Sequence, residues 1–358
     1  MIRRPLLLPS IGILLLLVGC SCDDEKAGWS SRTIGGLQSE TLTIGDHTRV
    51  TVTESVSFTE GSNLVLSGQV EFLMSANTSL ELPADFSVPA SAGVTFRPAD
   101  ATPWQKLKVS QAQVDLRNLT IRGAIIGLDL SGSGAATLSR LTISECEQYG
   151  LYAVSLDSLI IEDSRISDCV SDGAHIKFSK TRLSGVSVTG CAFHGVYLLS
   201  GQSLLEDCTL ANNGLTENGS GITVDGTDSA YSITHSLFDG NYYGLRDTAN
   251  RAVILTQCQF SNSVYFPLLF AHPFADRVFL EQNNILPGPG GRRVELATTG
   301  AYLPGRYLPA MRNWWGTTNL EDIVSSTSLS GDGRTTANSD TVRVEPILLE
   351  PLPSAGPR

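Results

Sequence analysis

Aliphatic residues recur along the middle of the chain at a nearly fixed interval. The last apolar residue of each short run falls at Ile121, Ile143, Ile166, Val188, Leu210, Phe238, Phe260 and Ile285, at spacings of 22, 23, 22, 22, 28, 22 and 25. Five residues before these anchors stand Leu116, Leu138, Ile161, Leu183, Leu205, Ile233, Leu255 and Leu280, all aliphatic. Two before them stand Leu119, Leu141, Ser164, Val186, Cys208, Ser236, Cys258 and Asn283, mostly small or apolar. After the anchor comes a turn, then glycine and an apolar-x-apolar run: Gly127-Leu-Asp-Leu, Gly150-Leu-Tyr-Ala, Gly173-Ala-His-Ile, Gly195-Val-Tyr-Leu and Gly221-Ile-Thr-Val.

Positions two apart point to one face of a strand, and the position five back belongs to another strand beyond a turn. Each repeat is then three short strands. No such repeat buries its own apolar face, so neighbours must stack. The pattern predicts an all-β fold, a right-handed parallel β-helix: a single-stranded solenoid of about 22 residues per coil, with coils about 4.8 Å apart. The 28-residue interval contains Asn212 to Gly221, a Gly/Asn-rich stretch that reads as a loop insertion.

This repeat resembles the right-handed parallel β-helix repeat family, which includes pectate-lyase-like proteins. The resemblance covers residues 114–290 and implies fold more than activity. Strand-like alternation at Thr41-Leu-Thr-Ile44, Val50-Thr-Val52, Leu64-Val-Leu66, Val70-Glu-Phe72 and Leu80-Glu-Leu82 extends the solenoid towards the N-terminus, so 33–316 is read as β-helix. Arg312-Asn-Trp-Trp-Gly316 resembles the terminal segment of such proteins, with two large rings to cover the column's end. Residues 317–358 are then a capping segment, with a mobile loop from Ser325 to Asp340 and a loose tail from Ser354.

The N-terminus reads as an address. Met1-Ile-Arg-Arg and the apolar run Leu6 to Val18 have the flanks and length of a secretory signal. Leu17-Val18-Gly19-Cys20 resembles the bacterial lipobox, which implies a signal peptide over 1–19 and acyl chains on Cys20. Residues 20–32, beginning with acidic Cys22-Asp-Asp-Glu-Lys26, form a tether. The expected location is the cell envelope, lipid-anchored, with Ser21 leaning to the outer membrane.

Composition narrows the function. The formal charge is −11, and without Arg3 and Arg4 it is 23 − 36 = −13. Such a balance argues against a nucleic-acid binder that tracks phosphates. Cys146, Cys169 and Cys191 each lie three residues after an anchor, where Asn213, Asn241 and Ser263 stand in other coils. This reads as an internal ladder of buried thiols and amides, although an exported compartment also permits one disulfide.

The middle residue of each apolar-x-apolar strand should face outward. Asp129, Tyr152, His175, Tyr197, Thr223 and Arg246 then form one stripe, with rings that can stack on sugar faces and cations that can pair with carboxylates. A solvated strand face would read the same way, since Tyr and Thr are good strand residues. Glu145 and Asp168, both two after an anchor, form a second candidate: a carboxylate pair suited to acid/base hydrolysis, or two turn acids facing water.

The catalytic signatures of β-helix enzymes are missing. There is no Gly-His-Gly, Arg-Ile-Lys, Asp-Pro-His-Asp or Arg-x-Pro-x-x-Arg, and the sole Asp-Asp is Asp23-Asp24. The family's catalytic residues therefore carry over to no position. No cofactor or metal is implied, and a monomer is expected. The reading is a glycan- or protein-binding or structural module on the envelope. Its alternative is a polysaccharide-active lyase or hydrolase on the same stripe.

Overall fold

The computed structural model describes residues 28–358, apart from 84–85, 90, 133, 217, 250–251, 272–277, 290, 298–307 and 331–341. Cys20 and the expected signal peptide over 1–19 lie outside the described residues. The chain winds into a right-handed parallel β-solenoid of about 10 turns, about 23 residues each.

Each regular coil contributes one strand to each of three sheets. The first sheet holds Gln113–Arg117, Ala135–Ser139, Ser158–Glu162 and Thr181–Ser184. The second holds the short anchor strands, such as Thr142–Ser144 and Ser187–Thr189. The third holds Ala124–Asp129, Tyr149–Val154, Ala174–Lys177 and Tyr243–Asp247. His194–Glu206 and Ser220–Thr234 run from the third sheet round the corner into the first.

The register follows the repeat. Leu116, Leu138, Ile161, Leu183, Leu205, Ile233, Leu255 and Leu280 pair in sequence along the first sheet, each buried. The anchors Ile121 to Ile285 do the same along the second. Single residues in the left-handed region make the corners. Asn118, Arg140, Asp163 and Asp207 turn the chain into the second sheet; Glu145, Asp168, Asn212 and Asn262 turn it out again.

Pairing continues through Ser30–Gln38, Thr48–Phe58, Gln69–Met74 and Gly93–Pro98 to Leu119–Arg122. At the far end, Trp314 bridges to Asn284 and extends the ladder, while Trp315 is fully buried. Two terminal expectations change. Thr327–Ser330, inside the expected mobile loop, is a strand paired with Val294–Ala297; residues 331–341 of that loop lie outside the described residues. The tail from Ser354 is docked: Gly356 N–H donates to Gln257, and Arg358 pairs with Glu206 at 2.9 Å and Asp207 at 3.4 Å.

The ladder slot after the anchors works as its residue types suggest. Cys146, Cys169 and Cys191 are buried and free. Asn213 then accepts from the Cys191 N–H at 3.0 Å, and Asn241 accepts from the Asn213 N–H at 2.9 Å. Hydrogen bonding to Cys146 and burial push the Cys169 thiol well above its ordinary range, and Cys169 and burial do the same to Cys191.

Candidate functional site

The glycine row explains how side chains crowd the third sheet. A Cβ on Gly173 would stand 2.4 Å from the Val188 side chain and 2.6 Å from the Gly195 carbonyl. Gly127, Gly150, Gly195, Gly221 and Gly244 meet similar walls. The backbone therefore presses onto the ladder at this point. Outward side chains come from the residue before each glycine and from the residue two after it.

The six stripe residues lie in one register. Asp129 pairs with Tyr152, Tyr152 with His175, His175 with Tyr197, Tyr197 with Thr223, and Thr223 with Arg246. They are not an open stripe. Asp129, His175 and Thr223 are buried, and Tyr152, Tyr197 and Arg246 are half-buried. The cover comes from the neighbouring row Tyr149, Asp172, His194, Ser220, Tyr243 and Phe266, also paired coil to coil on either side of Asp172.

Between these rows lies a polar and aromatic cluster. The His175 ring is stacked on Tyr197 at 4.7 Å, with Tyr149 at 4.5 Å and Tyr152 at 5.7 Å. Tyr149 and Tyr152 are themselves stacked at 5.5 Å. Ring faces are thus turned to one another along the coil axis, leaving edges and hydroxyls for an incoming ligand. This departs from the expectation of open faces for sugars: in-register rings about one coil apart consume each other's faces.

Asp172 anchors the cluster. One oxygen accepts the His175 Nδ1–H at 2.6 Å and the other accepts the His194 N–H at 3.1 Å. A carboxylate only accepts, so His175 carries a proton on Nδ1 and turns Nε2 away from Asp172. That Nε2 is buried without a hydrogen-bond partner. His194 Nδ1 meets the Ser220 and Thr223 hydroxyls at 3.0 and 3.2 Å. Burial pulls His194 down to about 4 against the opposing charge of Asp172, with nearby Arg246 acting in the same sense as burial, so the ring is neutral at pH 7.

At one edge the Tyr197 hydroxyl donates to Asp225 at 3.0 Å, and Thr248 donates to the same carboxylate at 2.9 Å. Burial raises the Asp225 carboxyl, but these bonds, the Gly226 N–H and Arg246 more than offset it and hold it below its usual value. Burial and Asp225 push the Tyr197 phenol up to about 12. At the other edge Asp129 pairs with Lys106 at 2.7 Å and accepts from Ser131.

The second candidate lies at matching corners of two consecutive coils. Glu145 and Asp168 are exposed corner residues in the left-handed region, and Glu145 is engaged by Arg122 at 2.7 Å. Tyr149 and Asp172 were missed as site residues, yet a signal existed: both immediately precede a row glycine, as do His194, Ser220 and Tyr243.

Comparison with known proteins places the fold. Residues 107–265 match the family model described as a right handed beta helix region. Among solved structures, the chain is similar to pectate lyase Pel9A at 12% identity and a TM-score of 0.40, over 91% of this chain and 80% of that one. It is similar to the A-module of the mannuronan C-5 epimerase AlgE6 of Azotobacter vinelandii at 11% identity and a TM-score of 0.35, over 86% of this chain and 92% of that one. No curated protein matches.

Proposed function

We propose that this right-handed β-helix is a lipid-anchored envelope protein whose third sheet binds a neutral glycan. The observation that carries the binding reading is the in-register row Tyr152–His175–Tyr197, backed by Tyr149. It offers phenol edges two coils apart, about 9.6 Å, with the His175 ring between them, a spacing that suits a linear polymer lying along the axis. Asp225 and Arg246 add an acceptor and a donor at one end. The charge of −11 disfavours a polyanion unless local cations dominate, and Asp172 and Asp225 oppose them here. Cys20, behind Leu17-Val18-Gly19, is the proposed site of lipidation. Mass spectrometry of the mature N-terminal peptide should find acyl chains on Cys20; a free N-terminus at another residue would remove the anchor from the reading.

One observation favours a second reading, a polysaccharide lyase or hydrolase. The Asp172–His175 pair resembles an oriented base, with a partnerless Nε2 and tyrosines on both sides. The binding reading predicts retardation in gels containing galactomannan, arabinoxylan or hydroxyethyl cellulose, with no product. Release of reducing ends or unsaturated uronates from a polysaccharide panel, lost in His175→Ala, would establish the enzyme instead.

A further inference from the structure

The first sheet carries a feature unrelated to the tyrosine row. A groove of about 460 Å³ runs along its outer face, lined by residues from five successive coils. It lies between two in-register rows. One begins at Ile160 and continues through Arg182, Leu204, Ser232 and Ile254. The other runs two residues earlier, through Lys180, Gln202, Ala230 and Ala252. Four coil steps give a length of about 19 Å.

Two properties of this groove point to its ligand. Aliphatic side chains stand in its walls where a solvated sheet face is ordinarily polar: beside Ser158, Gln202 and Ser232, Leu204 is 37% exposed and Ile254 39%, with Phe279 next in the row at 52%. Its charged lining residues, Lys180 and Arg182, are both cations, in a chain whose net charge is −11. They are both exposed and stand on one strand edge, two residues apart, so they flank the groove at a single level. Arg182 makes a loose 4.0 Å contact with Glu206, whose carboxylate is taken by Arg358 at 2.9 Å. Beyond the cations, Leu204, Ala230, Ala252 and Ile254 offer apolar cover on both sides.

We propose that this groove binds a single-chain anionic amphiphile, a long-chain carboxylate. The head group sits between Lys180 and Arg182, and the acyl chain runs along the axis towards Ala252 and Ile254. The volume lies within the range of small-ligand sites. A carboxylate between an ammonium and a guanidinium makes charge-assisted hydrogen bonds. Each methylene that finds apolar cover tightens binding by about fourfold.

Calorimetric titration with dodecanoate below its micelle concentration tests this. Dodecanoate should bind one to one, and octanoate at least tenfold more weakly. Lys180→Met with Arg182→Met should weaken dodecanoate at least tenfold while leaving dodecyl maltoside unchanged. Leu204→Ser with Ile254→Ser should erase the difference between the two chain lengths. These side chains are more than a third exposed, so melting curves should stay close to wild type. Absence of dodecanoate binding, or affinity unchanged in both double variants, overturns the proposal. So does tighter binding of oligogalacturonate than of dodecanoate with the same dependence on Lys180 and Arg182, which would make the groove an acidic-glycan site. Tyr152 and Tyr197 are not in the groove, so failure here leaves the tyrosine row untouched.

Discussion

Replacing Asp247 by asparagine should stabilise the protein above pH 7 and change little near pH 4. Asp247 is 1% exposed and occupies the inward slot that Val224 and Phe270 fill on the coils either side. One carboxyl oxygen accepts the Ala249 N–H at 2.9 Å. The Tyr231 hydroxyl lies near enough to lower the carboxyl's pKa, yet makes no hydrogen bond of ordinary geometry. Burial dominates and lifts Asp247 from 3.8 to about 7. A folded pKa above the unfolded one means the native state holds the proton more tightly. Stability from this group is complete below pH 3.8 and is lost as pH rises through 7. At 1.36 kcal/mol per unit, the loss is on the order of 4 kcal/mol. Asparagine keeps the acceptor and removes the ionisation.

His194 acts in the opposite sense. Its folded pKa is lowered from 6.5 to about 4, so its stabilisation is lost as pH falls from 6.5 to 4. The two slopes nearly cancel in the wild type, and the stability curve should be flat between pH 4 and 6.5. Asp247→Asn should expose the His194 slope. The assay is urea unfolding at intervals from pH 4 to pH 8, read as variant minus wild type, so that His194 drops out. A difference that rises to several kcal/mol by pH 8 supports the reasoning. A difference independent of pH refutes it.

Three further substitutions, at two positions, test the column. Leu183 is 1% exposed, between Ile161 and Leu205, so Leu183→Ala should cost about 2–5 kcal/mol in chemical unfolding. Leu183→Asp should abolish folding, and wild-type melting in that variant would contradict the register. Gly173→Ala should lower stability by about 1–3 kcal/mol, because the new methyl meets both Val188 and the Gly195 carbonyl. An unchanged melting temperature would show that the backbone row can yield.

The period was legible because the column selects one residue class at fixed offsets. Only part of the long interval was. Ser220 pairs with His194, 26 residues earlier, and Ser229 with Gly201, 28 earlier. Relative to a 22-residue coil, four extra residues sit in the Asn212–Gly221 loop, and two more enter at the corner after Asp225. The corner residues resemble an ordinary turn, so composition did not expose them. The stripe's alignment was readable, but its burial was not. Alternation says which way Asp129, His175 and Thr223 point; it does not say that the residue before each glycine covers them. Asp247 shows the converse. Its residue type suits water, but its register lies in the column, and the register prevails at the cost of a displaced proton equilibrium.

The glycan reading rests on tyrosine edges, and affinity electrophoresis in gels containing neutral polysaccharides tests it most directly. Three proteins are compared: wild type, Tyr152→Phe with Tyr197→Phe, and Tyr152→Ala with Tyr197→Ala. The account predicts that the wild type is retarded and that the phenylalanine pair, which keeps the ring stack and the fold, binds more than tenfold more weakly. The alanine pair should bind no better and melt slightly lower, since each lost ring contact is worth about 0.5–1.5 kcal/mol. Retardation equal to wild type in both double variants would contradict the account and leave the row as packing on an ordinary strand face.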